Sequence, residues 1–221
     1  MHAGSPFSDL SDKPVRGFLH RSPRPEADCL VLTHSAGANC ESSLLVALAE
    51  AFCAAGLTVL RCDLPFRQAR PHGPPPRGSA EGDQAGLRAA VAAMRRLNPA
   101  HVFLGGHSYG GRQASILAAS EPGLINGMLL LSYPLHPPKR PEQLRTAHFP
   151  SLQVPALFVQ GVRDEFATVA EMESALALIP ARTELLAIAG AGHELMNRSN
   201  QQGLVEAVTS GFVDFMQKNA A

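Results

Sequence analysis

The sequence predicts an α/β fold, with a mostly parallel central sheet and helices packed on both of its faces. Three observations predict it. Short apolar runs recur along the chain, and most are followed by a stretch whose apolar residues fall at helical spacing. The runs are apolar throughout instead of alternating, as strands covered on both faces must be. The 221 residues fit one core large enough to fold without disulfides or metals.

The elements follow in order. Residues 1–14 are polar and turn-rich, and are expected to form a flexible N-terminal arm ahead of a single domain spanning 15–221. A first strand is predicted at Val15–His20, and a buried strand in DCLVLTH, Asp28–His34, which ends in the turn SAGAN. Leu44, Leu48, Phe52 and Ala55 mark a helix from about Glu41, with Gly56 as its stop. Leu57–Cys62 is another strand. Asp63–Ser79, rich in proline, arginine and glycine, is expected to be a long loop without regular structure that can line a pocket or simply cover the surface. The pattern then predicts a helix over Glu81–Leu97, a strand over His101–Gly106 and a helix over Arg112–Ser120. Strands at Met128–Ser132 and Ala156–Gly161, a helix at Val169–Ile179, a strand at Glu184–Ile188 and a closing helix at Gln202–Gln217 complete it. In such sheets ligands bind outside the carboxyl ends of the strands, so chemistry is expected in the loops that follow them.

Composition narrows the partners. The formal net charge is zero, which gives no electrostatic reason to expect nucleic acid. No apolar run approaches a membrane span and no secretory signal is visible, so the expected location is cytoplasmic and away from membranes. Cys29, Cys40, Cys53 and Cys62 sit singly in or beside apolar runs and read as core residues, not as a zinc or redox pair. No metal is expected.

Chemistry is concentrated in VFLGGHSYGGRQAS. Gly106, His107, Ser108, Tyr109 and Gly110 form the pattern G-x-S-x-G between a predicted strand and a predicted helix. A serine on so sharp a turn needs neighbours without Cβ atoms, and it stands at a helix N-terminus where a developing anion is favoured. Because a serine hydroxyl is a weak nucleophile, it needs a general base held by an acid, in the chain order Ser, acid, His. Asp164, just past the strand ending at Gly161, is the candidate acid, with the adjacent Glu165 as its rival; His193, in the glycine-rich loop after the last strand, is the candidate base. For the oxyanion, the backbone N–H of Tyr109 and an amide from THSAGAN are needed, with Ala36 preferred over Ser35. Ser35, Arg112, His136, Arg145 and His148 are candidate substrate-binding residues, the arginines because their fork matches a carboxylate. Tyr133–Phe149 is too short and proline-rich for a helical lid, so an open site is expected.

With LTHSAGAN, GGHSYGGR, LSYPLHPP, LRTAHFP, LFVQGVRDEF and GAGHEL in place, the chain resembles the α/β-hydrolases, and within them the KANL3/Tex30-type, dienelactone hydrolase-like branch. Ser35 stands where glycine is usual in that branch. The resemblance implies an α/β-hydrolase fold without a lid domain and a serine triad at Ser108, Asp164 and His193. It also implies cleavage of a carboxylic ester or related acyl or lactone substrate without a cofactor, by a monomer or small homo-oligomer. Some relatives resemble scaffolding subunits, so a non-catalytic interaction module of the same fold is the alternative.

Overall fold

A strand that is apolar on both sides can bury its backbone polar groups only by pairing with neighbours and its side chains only by being covered above and below. The computed structural model, which describes residues 4–9, 14–24 and 27–218, meets both demands with one eight-stranded sheet. Its strands are β1 (Ser5–Asp9), β2 (Val15–His20), β3 (Cys29–Thr33), β4 (Thr58–Cys62), β5 (Val102–His107), β6 (Gly127–Leu131), β7 (Ala156–Gly161) and β8 (Thr183–Ile188). They lie in the order β1-β2-β4-β3-β5-β6-β7-β8. β1, β2 and β4 pair antiparallel and all later pairs are parallel. This is the α/β-hydrolase fold, without a lid domain.

The helices are α1 (Ser43–Ala54), α2 (Pro65–Ala69), α3 (Ala80–Arg95), α4 (Tyr109–Ser120), α5 (Val169–Leu176) and α6 (Gln201–Gln217). Successive strand residues face opposite ways, and two separate cores result. Leu30, Leu32, Leu129 and Leu131 pack under α1 and α6, with Phe52, Phe103 and Phe212 in edge-to-face contact. Val31, Leu104, Met128 and Leu130 pack under α3, α4 and α5, against Leu87, Leu117 and Met172. All four cysteines are free and buried.

Two expectations need correction. The N-terminal arm is not loose throughout, because Ser5–Asp9 pairs with β2, Ser5 opposite Leu19 and Asp9 opposite Val15. The free edge of β2 offers unpaired backbone groups that a polar segment satisfies as well as an apolar one, and Phe7 adds an apolar contact to the core. Residues 1–3 and 10–13 of that arm lie outside the described residues. The Asp63–Ser79 stretch is not wholly irregular either: Pro65 opens the short helix α2, a position where its missing N–H is harmless, and Phe66 and Arg67 are buried.

Candidate active site

The site begins with one strained residue. Ser108 follows β5 and precedes α4 with φ 51° and ψ −114°, a conformation most residues avoid. Its amide donates to the Leu131 carbonyl at 2.8 Å, so the turn is tied to β6. The glycines around it fill the role expected of them. A Cβ on Gly106 would lie 2.8 Å from the Gly111 nitrogen, and one on Gly110 would lie 2.5 Å from the His34 carbonyl oxygen. Strand, helix and the loop after β3 therefore approach more closely than side chains would permit.

Parallel register then carries the other predicted groups to the same rim. Gly161 pairs with Ile188 at the carboxyl ends of β7 and β8, and the loops beyond them supply Asp164 and His193. The His193 imidazole Nε2 lies 2.8 Å from the Ser108 hydroxyl, and its Nδ1 lies 2.9 and 3.0 Å from the two Asp164 carboxylate oxygens. Asp164 is buried, while Glu165, its rival in the sequence, is exposed. With the proton on Nδ1, the ring donates to Asp164 and accepts from Ser108, the arrangement a general base requires.

Several residues that the sequence reading did not single out hold this line in place. Asp164 Oδ2 accepts from the Gln160 side-chain amide at 2.7 Å, and Oδ1 accepts from the Phe166 backbone N–H at 2.9 Å. The Phe166 ring stacks on the His193 imidazole, centroids 4.0 Å apart. On another side His107 donates through Nε2 to the His193 carbonyl at 2.9 Å; burial lowers its pKa and keeps it neutral. Gln160 sits inside a strand run that reads as apolar, His107 fills a variable position of the G-x-S-x-G pattern, and Phe166 gives only a weak signal, two residues past the candidate acid.

The loop after β3 lies against the elbow, since Thr33 pairs with Gly106. It carries Ser35 and Ala36. His34, held neutral because burial lowers its pKa, donates from Nδ1 to the Ser35 carbonyl at 2.8 Å and accepts the Leu64 N–H at 3.1 Å. Arg67 of α2 is buried and donates to the carbonyls of Ala36 and Ala38 at 2.8 Å each, and to Gly73 at 3.0 Å and Arg70 at 3.1 Å. Asp83, fully buried, accepts from the Phe66 N–H at 3.0 Å and the Tyr109 hydroxyl at 2.7 Å. Burial pushes the Tyr109 phenol up to about 12, so it is a donor at neutral pH. Arg67 thus ties the loop bearing the Ala36 amide to α2, and Asp83 ties Tyr109, at the start of α4, to α3.

The remaining predicted residues divide. Arg112, Arg145 and His148 gather beside the buried Tyr133, with His148 Nε2 2.8 Å from the Ser115 hydroxyl and the Tyr133 hydroxyl donating to the Arg145 carbonyl at 2.9 Å. His136 does not join them. It is buried against the N-terminus of α5, donating from Nδ1 to the Pro137 carbonyl at 2.8 Å with Nε2 3.5 Å from Glu171. A cavity of about 380 Å³ borders His193, Phe166 and Leu195. A larger one, about 560 Å³, opens beside Asp28, Leu57, His101 and Asn126 at the amino ends of the strands, the wrong end of the sheet for this chemistry. Among the described residues no group of three or more His, Cys, Asp or Glu side chains is arranged to hold a metal. No helix among them is long and apolar enough to cross a membrane.

The model of a family described as an alpha/beta hydrolase domain matches residues 26–219. The chain belongs to the α/β-hydrolase family. Several solved structures share its fold at low identity. Est1E from Butyrivibrio proteoclasticus is 16% identical with a TM-score of 0.78, over 97% of this chain and 99% of that one. A dienelactone hydrolase from Anabaena variabilis is 18% identical with a TM-score of 0.73, over 95% and 98%. An α/β serine hydrolase without lid from Xanthomonas campestris is 17% identical with a TM-score of 0.68, over 97% and 96%. This α/β-hydrolase shares its architecture with all three, a dienelactone hydrolase among them, and has its candidate chemistry at the carboxyl rim of the sheet.

Proposed function

We propose that this α/β-hydrolase is a serine esterase that cleaves a carboxylic ester, or a related acyl or lactone bond, in a small molecule. The observation that carries the reading is the continuous relay from the Ser108 hydroxyl through His193 to Asp164, with links of 2.8 Å and 2.9 Å. Ser108 Oγ attacks the carbonyl carbon as His193 Nε2 takes its proton, and Asp164 stabilises the resulting imidazolium. The negative charge moves to the former carbonyl oxygen, which the Tyr109 and Ala36 amides receive. Collapse of that intermediate expels the alcohol, protonated by His193, and leaves an acyl group on Ser108. Water, deprotonated by the same imidazole, attacks the acyl carbon, and the acid departs as Ser108 regains its proton. No step requires a cofactor. In this reading the protein works in the cytoplasm, as a monomer or small homo-oligomer, on neither membranes nor nucleic acid.

The test is labelling with a fluorophosphonate and hydrolysis of short aryl esters. The expected outcome is an adduct on the Ser108 peptide, absent in Ser108→Ala and His193→Ala, with turnover lost in both. Equal turnover by Ser108→Ala and the parent would overturn the mechanism. An unlabelled, inactive parent would favour the binding module instead.

A further inference from the structure

A histidine ring turns easily about its last side-chain bond, so a general base needs neighbours that fix its plane as well as its edge. Asp164 holds the edge, because its two oxygens lie 2.9 and 3.0 Å from His193 Nδ1. Phe166 lies across the plane. Its ring stacks on the imidazole with centroids 4.0 Å apart and planes inclined by 30°.

Phe166 is itself held from both sides. Its N–H donates to Asp164 Oδ1 at 2.9 Å, and its carbonyl accepts from the His136 N–H, in the segment after β6, at 3.1 Å. Two residues on, Thr168 caps α5: its hydroxyl accepts from the Glu171 N–H at 3.2 Å, and its own N–H donates to the Glu171 carboxylate at 2.8 Å. The ring is therefore presented by a backbone anchored to the candidate acid at one end and to a capped helix at the other. Phe166 and His193 together border the cavity of about 380 Å³, which Arg163, Glu165 and Glu194 also line. Arg163 is turned to the Gly190 carbonyl, to which its Nε–H donates at 3.1 Å. His107, whose ring centroid lies 5.6 Å from that of His193, is kept neutral by burial and sets no cation against the base.

We infer that Phe166 is a positioning residue for the proposed hydrolysis: its face sets the plane of the His193 imidazole and stabilises the imidazolium that forms when Nε2 takes the Ser108 proton. An aromatic face carries negative partial charge, and a cation within about 6 Å of its centre is attracted to it. The neutral imidazole gains less from that face than the imidazolium does, so the contact strengthens on the way to the transition state. Phe166 forms no bond and moves no proton. It acts through the ring it covers. The inference rests on the proposed hydrolysis at Ser108 and adds to it a residue that touches the base without touching the ester carbonyl.

Two measurements test it. Phe166→Leu keeps an apolar side chain in place but removes the aromatic face, whereas Phe166→Tyr keeps the face. On p-nitrophenyl acetate, Phe166→Leu is expected to lower kcat by about 3- to 30-fold, the range into which such contacts convert. Acyl transfer to Ser108 and then to water both pass through the imidazolium, so both slow together and KM should stay within about twofold. Phe166→Tyr should keep both constants within about twofold of the parent. Parental kcat in Phe166→Leu, or an equal loss in Phe166→Tyr, overturns the inference. Circular dichroism checks the fold, and Phe166→Met carries the same expectation should Phe166→Leu not fold. The second measurement needs no turnover: the proton between His193 Nδ1 and Asp164 gives a magnetic-resonance line far downfield of the backbone amides. That line should be sharp in the parent and in Phe166→Tyr and broadened in Phe166→Leu, where the imidazole plane is free to swing. A line equally sharp in Phe166→Leu overturns the positioning role. A parent without the line overturns the proposed relay itself, and the inference with it.

Discussion

At the scale of single residues, the proposed chemistry turns on one choice between neighbours. Asp164 and Glu165 are chemically alike and adjacent, yet only the first is buried with its oxygens 2.9 and 3.0 Å from His193 Nδ1. Gln160 and the Phe166 amide each donate to one of its oxygens. Asp164→Asn should therefore lower kcat by about 10⁴-fold, since an amide in that place favours the wrong imidazole tautomer. Glu165→Gln, on the exposed side of the turn, should stay within about twofold of the parent. Steady-state kinetics on an aryl ester decide it, and a reversal of the two effects would make Glu165 the acid. The sequence makes Asp164 the candidate and leaves Glu165 as its rival, because the turn after β7 alone determines which side chain points back over the sheet.

Among the elements, α2 is the least expected and one of the most consequential. It occupies a stretch whose prolines and arginines read as loop, and through Arg67 it donates four hydrogen bonds to the backbone of Ala36, Ala38, Arg70 and Gly73. Arg67 is a positioning residue for the loop that carries the Ala36 amide. Arg67→Met should lower kcat by about tenfold or more with a smaller change in KM, because a misplaced oxyanion donor weakens the transition state more than the bound ester. Arg67→Lys should recover part of that loss. Unchanged kcat in Arg67→Met, with circular dichroism showing an intact fold, would remove Arg67 from the oxyanion loop's support. No local signal marks Arg67 in the sequence, since its partners are backbone carbonyls that lie up to 31 residues away.

For the molecule as a whole, buried histidines tie folding to proton concentration. Burial lowers the pKa of His34, His107 and His148 below the ordinary 6.5, His148 to about 4. The unfolded chain therefore binds more protons than the folded one below that ordinary value, and stability present above it is lost as pH falls through it. Urea midpoints should be lower at about pH 5 than at about pH 7.5, and His148→Gln should flatten the difference. A midpoint that does not fall over that interval would mean these rings are protonated in the folded protein.

The sequence by itself determined the order of the main strands and helices, the double-sided burial of the sheet and the three side chains that converge on its carboxyl rim. These are properties of local periodicity and chain order: alternate faces of a strand, the apolar stripe of a helix, and the rule that loops after parallel strands share one end. Only the tertiary structure decided that Ser5–Asp9 completes the sheet edge, and that Arg67 and Asp83 hold the segments around the elbow. Each of these depends on groups far apart in the chain finding one another, and such meetings are fixed by strand register and packing, which no local pattern of residues encodes.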